Sequence, residues 1–196
     1  EAAALTEKSR ALFRDLGMRE SEAEAVQTLG GIHEARGRPG EALTSYEEAL
    51  GLLRPDRAYP SLTYRLLSRV ASLHSRAGDL DRAIATGERQ LEFVERMGPI
   101  PIGDGSFWRP FSVMLNLSWF HYLKGNYRVA LKYADTAYGR RFQDRPLPAA
   151  LAEIFNYRGL AQLELLQVDA AEKDFREALK IVQNSPNRSF LANLHN

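Results

Sequence analysis

Cysteine is absent from the 196 residues. That excludes disulfides and thiolate metal sites, and it points to a cytoplasmic setting. Charge of one sign is missing as well: 26 Lys and Arg face 25 Asp and Glu, a formal net charge of +1. Residues 1–98 carry 14 basic and 16 acidic side chains, and residues 99–196 carry 12 and 9. Neither half holds the concentrated basic patch that nucleic acid requires, so no direct nucleic-acid binding is expected. No apolar run approaches the roughly 18 residues of a membrane-spanning helix, and no signal peptide opens the chain. Lysine is scarce beside arginine, 5 against 21, a bias that fits a GC-rich genome.

Catalytic and cofactor motifs are missing too. No Gly-Lys-Ser/Thr phosphate loop occurs, and Gly103-Asp104-Gly105 has Trp108 where a dinucleotide fingerprint needs a third Gly, with no strand before it. His33-Glu34 lacks the second His of a zincin, since Gly37 stands in its place. The sequence therefore predicts no enzyme activity, no cofactor and no metal.

What the chain does contain is a unit that recurs four times. The copies run Leu29 to Leu50, Val70 to Leu91, Leu117 to Tyr138 and, more loosely, Arg158 to Leu179. Gly37, Gly78 and Gly125 each separate two amphipathic stretches; the fourth copy has Leu166 there. A glycine at that point permits the positive φ that ends one helix and reverses the chain into the next. Five residues on come Ala42, Ala83, Ala130 and Ala171, small enough for close helix approach. His33, His74 and His121 lie four before each Gly. Helices stacked 8–10 Å apart cannot converge one His each on a single ion, so these read as half-buried packing residues. Asp79 and Asn126 are placed as N-caps, Pro39 in a first helical turn, and Ser21 to Glu24 as a capping box. A unit of this kind cannot bury its apolar face alone, so the copies must stack into a solenoid whose task is to hold a partner.

These residues resemble the tetratricopeptide repeat (TPR) family. The first copy matches best, through Leu29-Gly30, Ala42, Tyr46, Ala49 and Pro55, and the fourth keeps Gly159, Ala171, Phe175 and Ala178. Gly87 and Ala134 replace the usual aromatic in the second and third copies. The marker alanines are 41, 47 and 41 residues apart rather than 34. Such long repeats are similar to those of kinesin light chains and of large bacterial ATPase-type transcription regulators. The resemblance implies an all-α, right-handed α-solenoid of antiparallel helix pairs.

The expected organisation is a partial preceding repeat and linker at 1–21, repeats at 22–60 and 61–98, an inserted loop at 99–110, repeats at 111–146 and 147–184, and the start of a further helix at 185–196. Both ends read as cut from a longer protein. Phe107 or Trp108 of the loop is expected to fold back onto the helices, with Asp104-Gly105 exposed.

In the family the first helix of each pair lines the concave surface. On the second copy Tyr64, Leu67, Val70, Ala71 and His74 mark the packed side. The opposite stripe is Arg65, Ser68, Arg69, Ser72 and Arg76. The third copy puts Ser112, Leu115, Asn116, Trp119 and Tyr122 there, and the fourth Glu153, Asn156, Tyr157 and Leu160. Guanidinium forks, amides and aromatics together can read an extended or helical peptide, and an acidic one with apolar anchors fits best. Arg65 and Arg69 match two positions of the family's carboxylate clamp, but Thr28 stands where that clamp needs Asn, so a chaperone-tail receptor is not expected. The expected function is protein or peptide binding, as the interaction or sensor segment of a larger bacterial regulatory protein. Small-molecule effector sensing and self-association through open array ends are the alternatives.

Overall fold

The computed structural model describes residues 1–53, 59–98, 100–101, 107–108, 110–140 and 148–184, without the side chains of Pro101, Phe107 and Trp108. The side-chain placement of Phe107 and Trp108, the turn at Asp104-Gly105, the family proline Pro55 and the further helix at 185–196 lie outside what is described. Among the described residues there are nine helices. They are α1 (Ala2–Asp15), α2 (Arg19–Ala35), α3 (Pro39–Leu52), α4 (Pro60–Arg76), α5 (Leu80–Met97), α6 (Pro110–Leu123), α7 (Tyr127–Gly139), α8 (Pro148–Glu164) and α9 (Val168–Gln183). Two extended segments of two residues each, β1 (Ile100–Pro101) and β2 (Phe107–Trp108), leave the all-α class unchanged. Among the described residues no helix is long and apolar enough to cross a membrane.

The pairs break where the spacing predicts. Gly37, Gly78 and Gly125 have φ of +70°, +78° and +80°, and Leu166 adopts the same left-handed conformation at +61°. Gly17, which the repeat pattern does not single out, does so too at +66°, between α1 and α2. At all five turns the following N–H donates to the carbonyl five residues back: Met18 to Phe13, Arg38 to His33, Asp79 to His74, Asn126 to His121 and Gln167 to Gln162, at 2.8–2.9 Å. This is the Schellman closure, which satisfies a helix's last carbonyls while turning the chain.

Helix starts are less uniform. Pro39 occupies the first turn of α3. The Asp79 carboxylate accepts the Arg82 N–H at 3.1 Å, whereas Asn126 makes no capping hydrogen bond. The capping box expected at Ser21 is corrected: α2 begins at Arg19 after Met18, with no side-chain cap. The Gly17 turn delivers the chain already in helical direction, so Ser21 lies inside the first turn.

The chain forms two compact units, residues 1–106 with α1 to α5 and residues 107–196 with α6 to α9. In the first, Ala23, Val26, Ala42, Tyr46, Ala49, Leu62, Leu66, Val70 and Leu73 form a continuous core. In the second, Ala152, Phe155, Ala178 and Val182 pack together under Tyr138, Leu151 and Ile181. Ala42, Ala83, Ala130 and Ala171 are all buried. At those crossings any larger side chain would push the helices apart. Tyr64, Leu67, Val70, Ala71 and His74 are buried as the helical spacing requires.

Candidate functional site

In the first unit the exposed face of α4 carries Arg65, Arg69, Ser72 and Arg76. Ser68, one turn along from Arg65, is half-buried. It accepts a hydrogen bond at 2.5 Å from the amide of Gln90, which also donates to the Tyr64 carbonyl at 3.2 Å. Ser68 thus belongs to the α4–α5 contact, and the solvent stripe is narrower than the sequence implies.

The arginines do not stand as independent charges. Glu34, on the last turn of α2, is a hub. Its Oε1 accepts from Arg76 at 2.7 Å. Its Oε2 accepts from the Tyr46 hydroxyl at 2.7 Å and from Arg69 at 3.3 Å. Burial first, and then the Glu34 carboxylate, pushes the ionisation of Tyr46 well above that of a free tyrosine. Arg65 reaches Gln27 more weakly, at 3.5 Å. Arg69 and Arg76 thus share one carboxylate, while among the described residues Arg65 has none. Beside the hub, Glu34, Gly37, Pro39, Leu73, Arg76 and Ala77 line a cavity of about 380 Å³. A second hollow, about 400 Å³, lies between α3 and α5 over Leu67 and Val70, with Arg82 and Arg89 on its rim.

In the second unit the first helices α6 and α8 bring their aromatics together. Trp119 stacks on Tyr122, with centroids 5.5 Å apart and planes at 16°. It also stacks on Tyr157, at 5.2 Å and 22°. Tyr127 tilts against Tyr122 at 5.6 Å. All three rings of the ladder keep partial solvent access, Asn116 is exposed and Asn156 half-buried. Burial, and then Glu153, pushes the Tyr157 hydroxyl up to about 12. Burial, and then Glu164, raises Tyr122, which also hydrogen-bonds Glu164. Glu153 itself is raised by burial.

The histidines are engaged in packing. His33 Nδ1 lies 2.9 Å from Glu41, and the buried His74 lies 3.8 Å from Glu47. His121 stacks on Tyr133 at 5.5 Å. Two of the three are buried rather than half-buried. Each faces a helix neighbour instead of another histidine.

Sequence reasoning chose the arginines and missed the residue that holds them. The signal was present: Glu34 stands three residues before Gly37, the register that Ser75, Tyr122 and Leu163 hold in the other copies. Tyr122 was chosen at that register and Glu34 was not. Pairing to Arg69 and Arg76, 35 and 42 residues away, is invisible to any local pattern.

With the geometry in place, comparison with known proteins gives the same architecture. Residues 25–58 match the family model of the tetratricopeptide repeat. No curated protein matches the sequence. Among solved structures, the chain is similar to BtubC (BKLC) from P. vanneervenii, at 23% identity and TM-score 0.69, over 93% of this chain and 73% of that one. It is similar to the apo form of RapI at 14% identity and TM-score 0.82, over 97% of this chain and 51% of that one. It is also similar to TPR-like repeats of a putative kinesin light chain from Podosopora anserina, at 13% identity and TM-score 0.71, over 91% and 84%. Residues 25–58 are thus similar to a tetratricopeptide repeat, and the fold is that of TPR-like helical repeat proteins.

Proposed function

We propose that this chain is a non-enzymatic peptide-binding module, the interaction or sensor segment of a larger bacterial regulatory protein working in the cytoplasm. The observation that carries the reading is the Trp119–Tyr122–Tyr157 ladder: three large rings stacked at 5.2–5.5 Å, left with solvent access on first helices. Rings held by one another lose little conformational freedom on binding, which is the property of an anchoring hot spot. The first unit offers an electrostatic face of its own. Arg65, Arg69, Ser72 and Arg76 receive an acidic partner segment, whose carboxylates compete with Glu34 for the two bound guanidinium groups.

The test is capture of a partner from the native host, followed by titration of the purified partner at low and high salt. An affinity of about micromolar, roughly −8 kcal/mol, is expected. Trp119→Ala costs about 2 kcal/mol or more, nearly independent of salt. Arg69→Glu weakens binding mainly at low salt, because groove charges are screened over about 8–10 Å. If both variants bind like the parent at low salt, the first-helix faces are not the site.

One observation favours a second reading. The cavity of about 380 Å³ beside Glu34 and Arg76 falls in the size range of small-molecule sites, about 300–1,000 Å³. An effector that joins an apolar group over Leu73 to a charge paired with Arg76 would fit it.

A further inference from the structure

The face of the second unit has a charge of its own, and it is not that of the first. Helix α6 contains no Asp, Glu, Lys or Arg at all, and α8 contains Glu153, Arg158 and Glu164. Arg158 is withdrawn from the ladder. Its guanidinium makes two hydrogen bonds of 2.5 Å to Asp174 on α9 and lies 4.4 Å from the centroid of the Tyr138 ring. Among the residues of α6 and α8, the ionised groups left are the two carboxylates. Glu164 hydrogen-bonds and charge-couples to Tyr122, and Glu153, one helical turn before Tyr157, couples to that hydroxyl. A carboxylate thus stands beside each outer ring, Glu153 by Tyr157 and Glu164 by Tyr122.

The Glu153 end is the open one. Glu153 is half-buried, and among the described residues it has neither a hydrogen-bond donor nor a cation. A carboxylate partly removed from water without a partner is costly. An incoming ammonium or guanidinium group would give it that partner while lying against the electron-rich face of Tyr157. An incoming carboxylate would meet repulsion in the same place.

Resting on the reading of the first-helix faces as the binding surface, we propose that the second unit takes a basic peptide segment, with a Lys or Arg head group seated between Glu153 and the Tyr157 ring. The occupant of this face is therefore opposite in charge to the one that fits Arg65, Arg69 and Arg76.

The experiment titrates the full chain by calorimetry with two decapeptides of the same apolar content, one carrying four Arg and the other four Glu in their place. Parent, Glu153→Gln, Tyr157→Phe, Trp119→Ala and Arg69→Glu are compared, each checked for helix content by circular dichroism. The Arg peptide is expected to bind the parent and to weaken about tenfold in Glu153→Gln, the loss of one desolvated charge pair with its ring contact. Tyr157→Phe keeps the ring and should weaken the Arg peptide less than Glu153→Gln does. Arg69→Glu should weaken the Glu peptide. Failure of the Arg peptide to bind overturns the proposal whatever the Glu peptide does, and so does equal binding by parent and Glu153→Gln. If the Glu peptide binds and Trp119→Ala abolishes it, the ladder is still a peptide site and only its cation preference is wrong. If neither peptide responds to Trp119→Ala, the reading of this face as a binding surface falls as well.

Discussion

Gly30 on α2 lies against the flat of the Tyr46 ring on α3: a Cβ at Gly30 would stand 2.7 Å from Cδ1 and 2.9 Å from Cζ. The ring cannot retreat, because its hydroxyl is tied to Glu34 at 2.7 Å. Gly30→Ala should therefore destabilise by about 1–2 kcal/mol, overpacking strain outweighing the better helix propensity of Ala. The adjacent Gly31 meets nothing nearer than the Tyr46 oxygen at 3.9 Å. Gly31→Ala should instead stabilise by about 0.5–1 kcal/mol. Gly159 faces Phe175 in the same way at 2.7 Å. Phe175 has no hydroxyl to pin it, so Gly159→Ala should cost less than Gly30→Ala. Urea unfolding followed by circular dichroism ranks the three, and equal midpoints for Gly30→Ala and Gly31→Ala would refute the packing argument.

Leu166 is the fourth copy's turn residue, in the left-handed region at φ +61° and 85% exposed. Its side chain contributes little packing and pays the Cβ penalty of that conformation, roughly 1–2 kcal/mol. Part of the relief on mutation is lost to the greater freedom of Gly in the unfolded chain. Leu166→Gly should raise stability by about 0.5–1 kcal/mol. Gly78→Ala, the reverse change at an equivalent turn, should lower it by about 1 kcal/mol. A thermal midpoint that falls in Leu166→Gly would show that Leu166 makes contacts its exposure denies.

Which parts of this molecule could be read from sequence follows from the range of the forces involved. The turns were legible because a left-handed residue is a local demand, met by Gly at three of the repeat's four turns. The register was legible because Ala42, Ala83, Ala130 and Ala171 sit where side-chain volume is constrained by the neighbouring helix. Helix starts were less so: Ser21 to Glu24 has capping chemistry, but the preceding Gly17 turn starts the helix three residues earlier, with Met18 in the cap position. The aromatic residues of the candidate site were legible as members of a stripe, whereas their stacking across α6 and α8 was not. Least legible was Glu34, because an ion pair between helices depends on rotamers of long side chains that no spacing rule describes.

Asp174 is 3% exposed and binds the Arg158 guanidinium at two points. Hydrogen bonding to Asp174 is also the chief reason that the Arg158 charge is held more tightly than usual. Removing the Asp174 carboxylate leaves a largely buried cation facing only the exposed Asp135, at 3.6 Å, so Asp174→Ala should destabilise by about 3 kcal/mol. Replacing both partners with apolar side chains, Arg158→Met with Asp174→Leu, should recover most of that loss, since neither desolvation penalty then remains. A double variant no more stable than Asp174→Ala would mean that Arg158 contributes mainly through its contact with Tyr138.

Tyr157 ionises at about 12 in the folded chain, against about 10 when unfolded. Between those values the unfolded chain loses its proton first, so folding is penalised as pH rises. The contribution of this group is fully present below about pH 10 and is gone above 12. Tyr157→Phe should flatten the fall in unfolding free energy across that window, though not abolish it, because Tyr46 shifts in the same direction. Denaturant titrations from pH 9 to 12, with phenolate absorbance followed in parallel, test this. Identical slopes for parent and variant would place the Tyr157 hydroxyl in open solvent.

Glu34 neutralises part of the face it holds together, so its charge and its geometry can be separated. Glu34→Gln keeps an oxygen to accept from the Tyr46 hydroxyl while removing the negative charge opposite Arg69 and Arg76. Both arginines are more than half exposed, at 61% of their side-chain surface. Ion pairs of that exposure contribute little to stability, so unfolding should change by less than about 1 kcal/mol. Binding of an acidic peptide should respond in the opposite sense. With no internal carboxylate to displace, its affinity should rise about three- to tenfold at low salt. The gain should shrink as ionic strength increases, because the interaction is screened over about 8 Å at 0.15 M. Arg69→Glu in the Glu34→Gln background should cancel the gain. Calorimetric titration of one acidic peptide against the parent and both variants decides the matter. An affinity unchanged or lowered in Glu34→Gln would mean that Glu34 presents the guanidinium groups to the partner rather than competing with it.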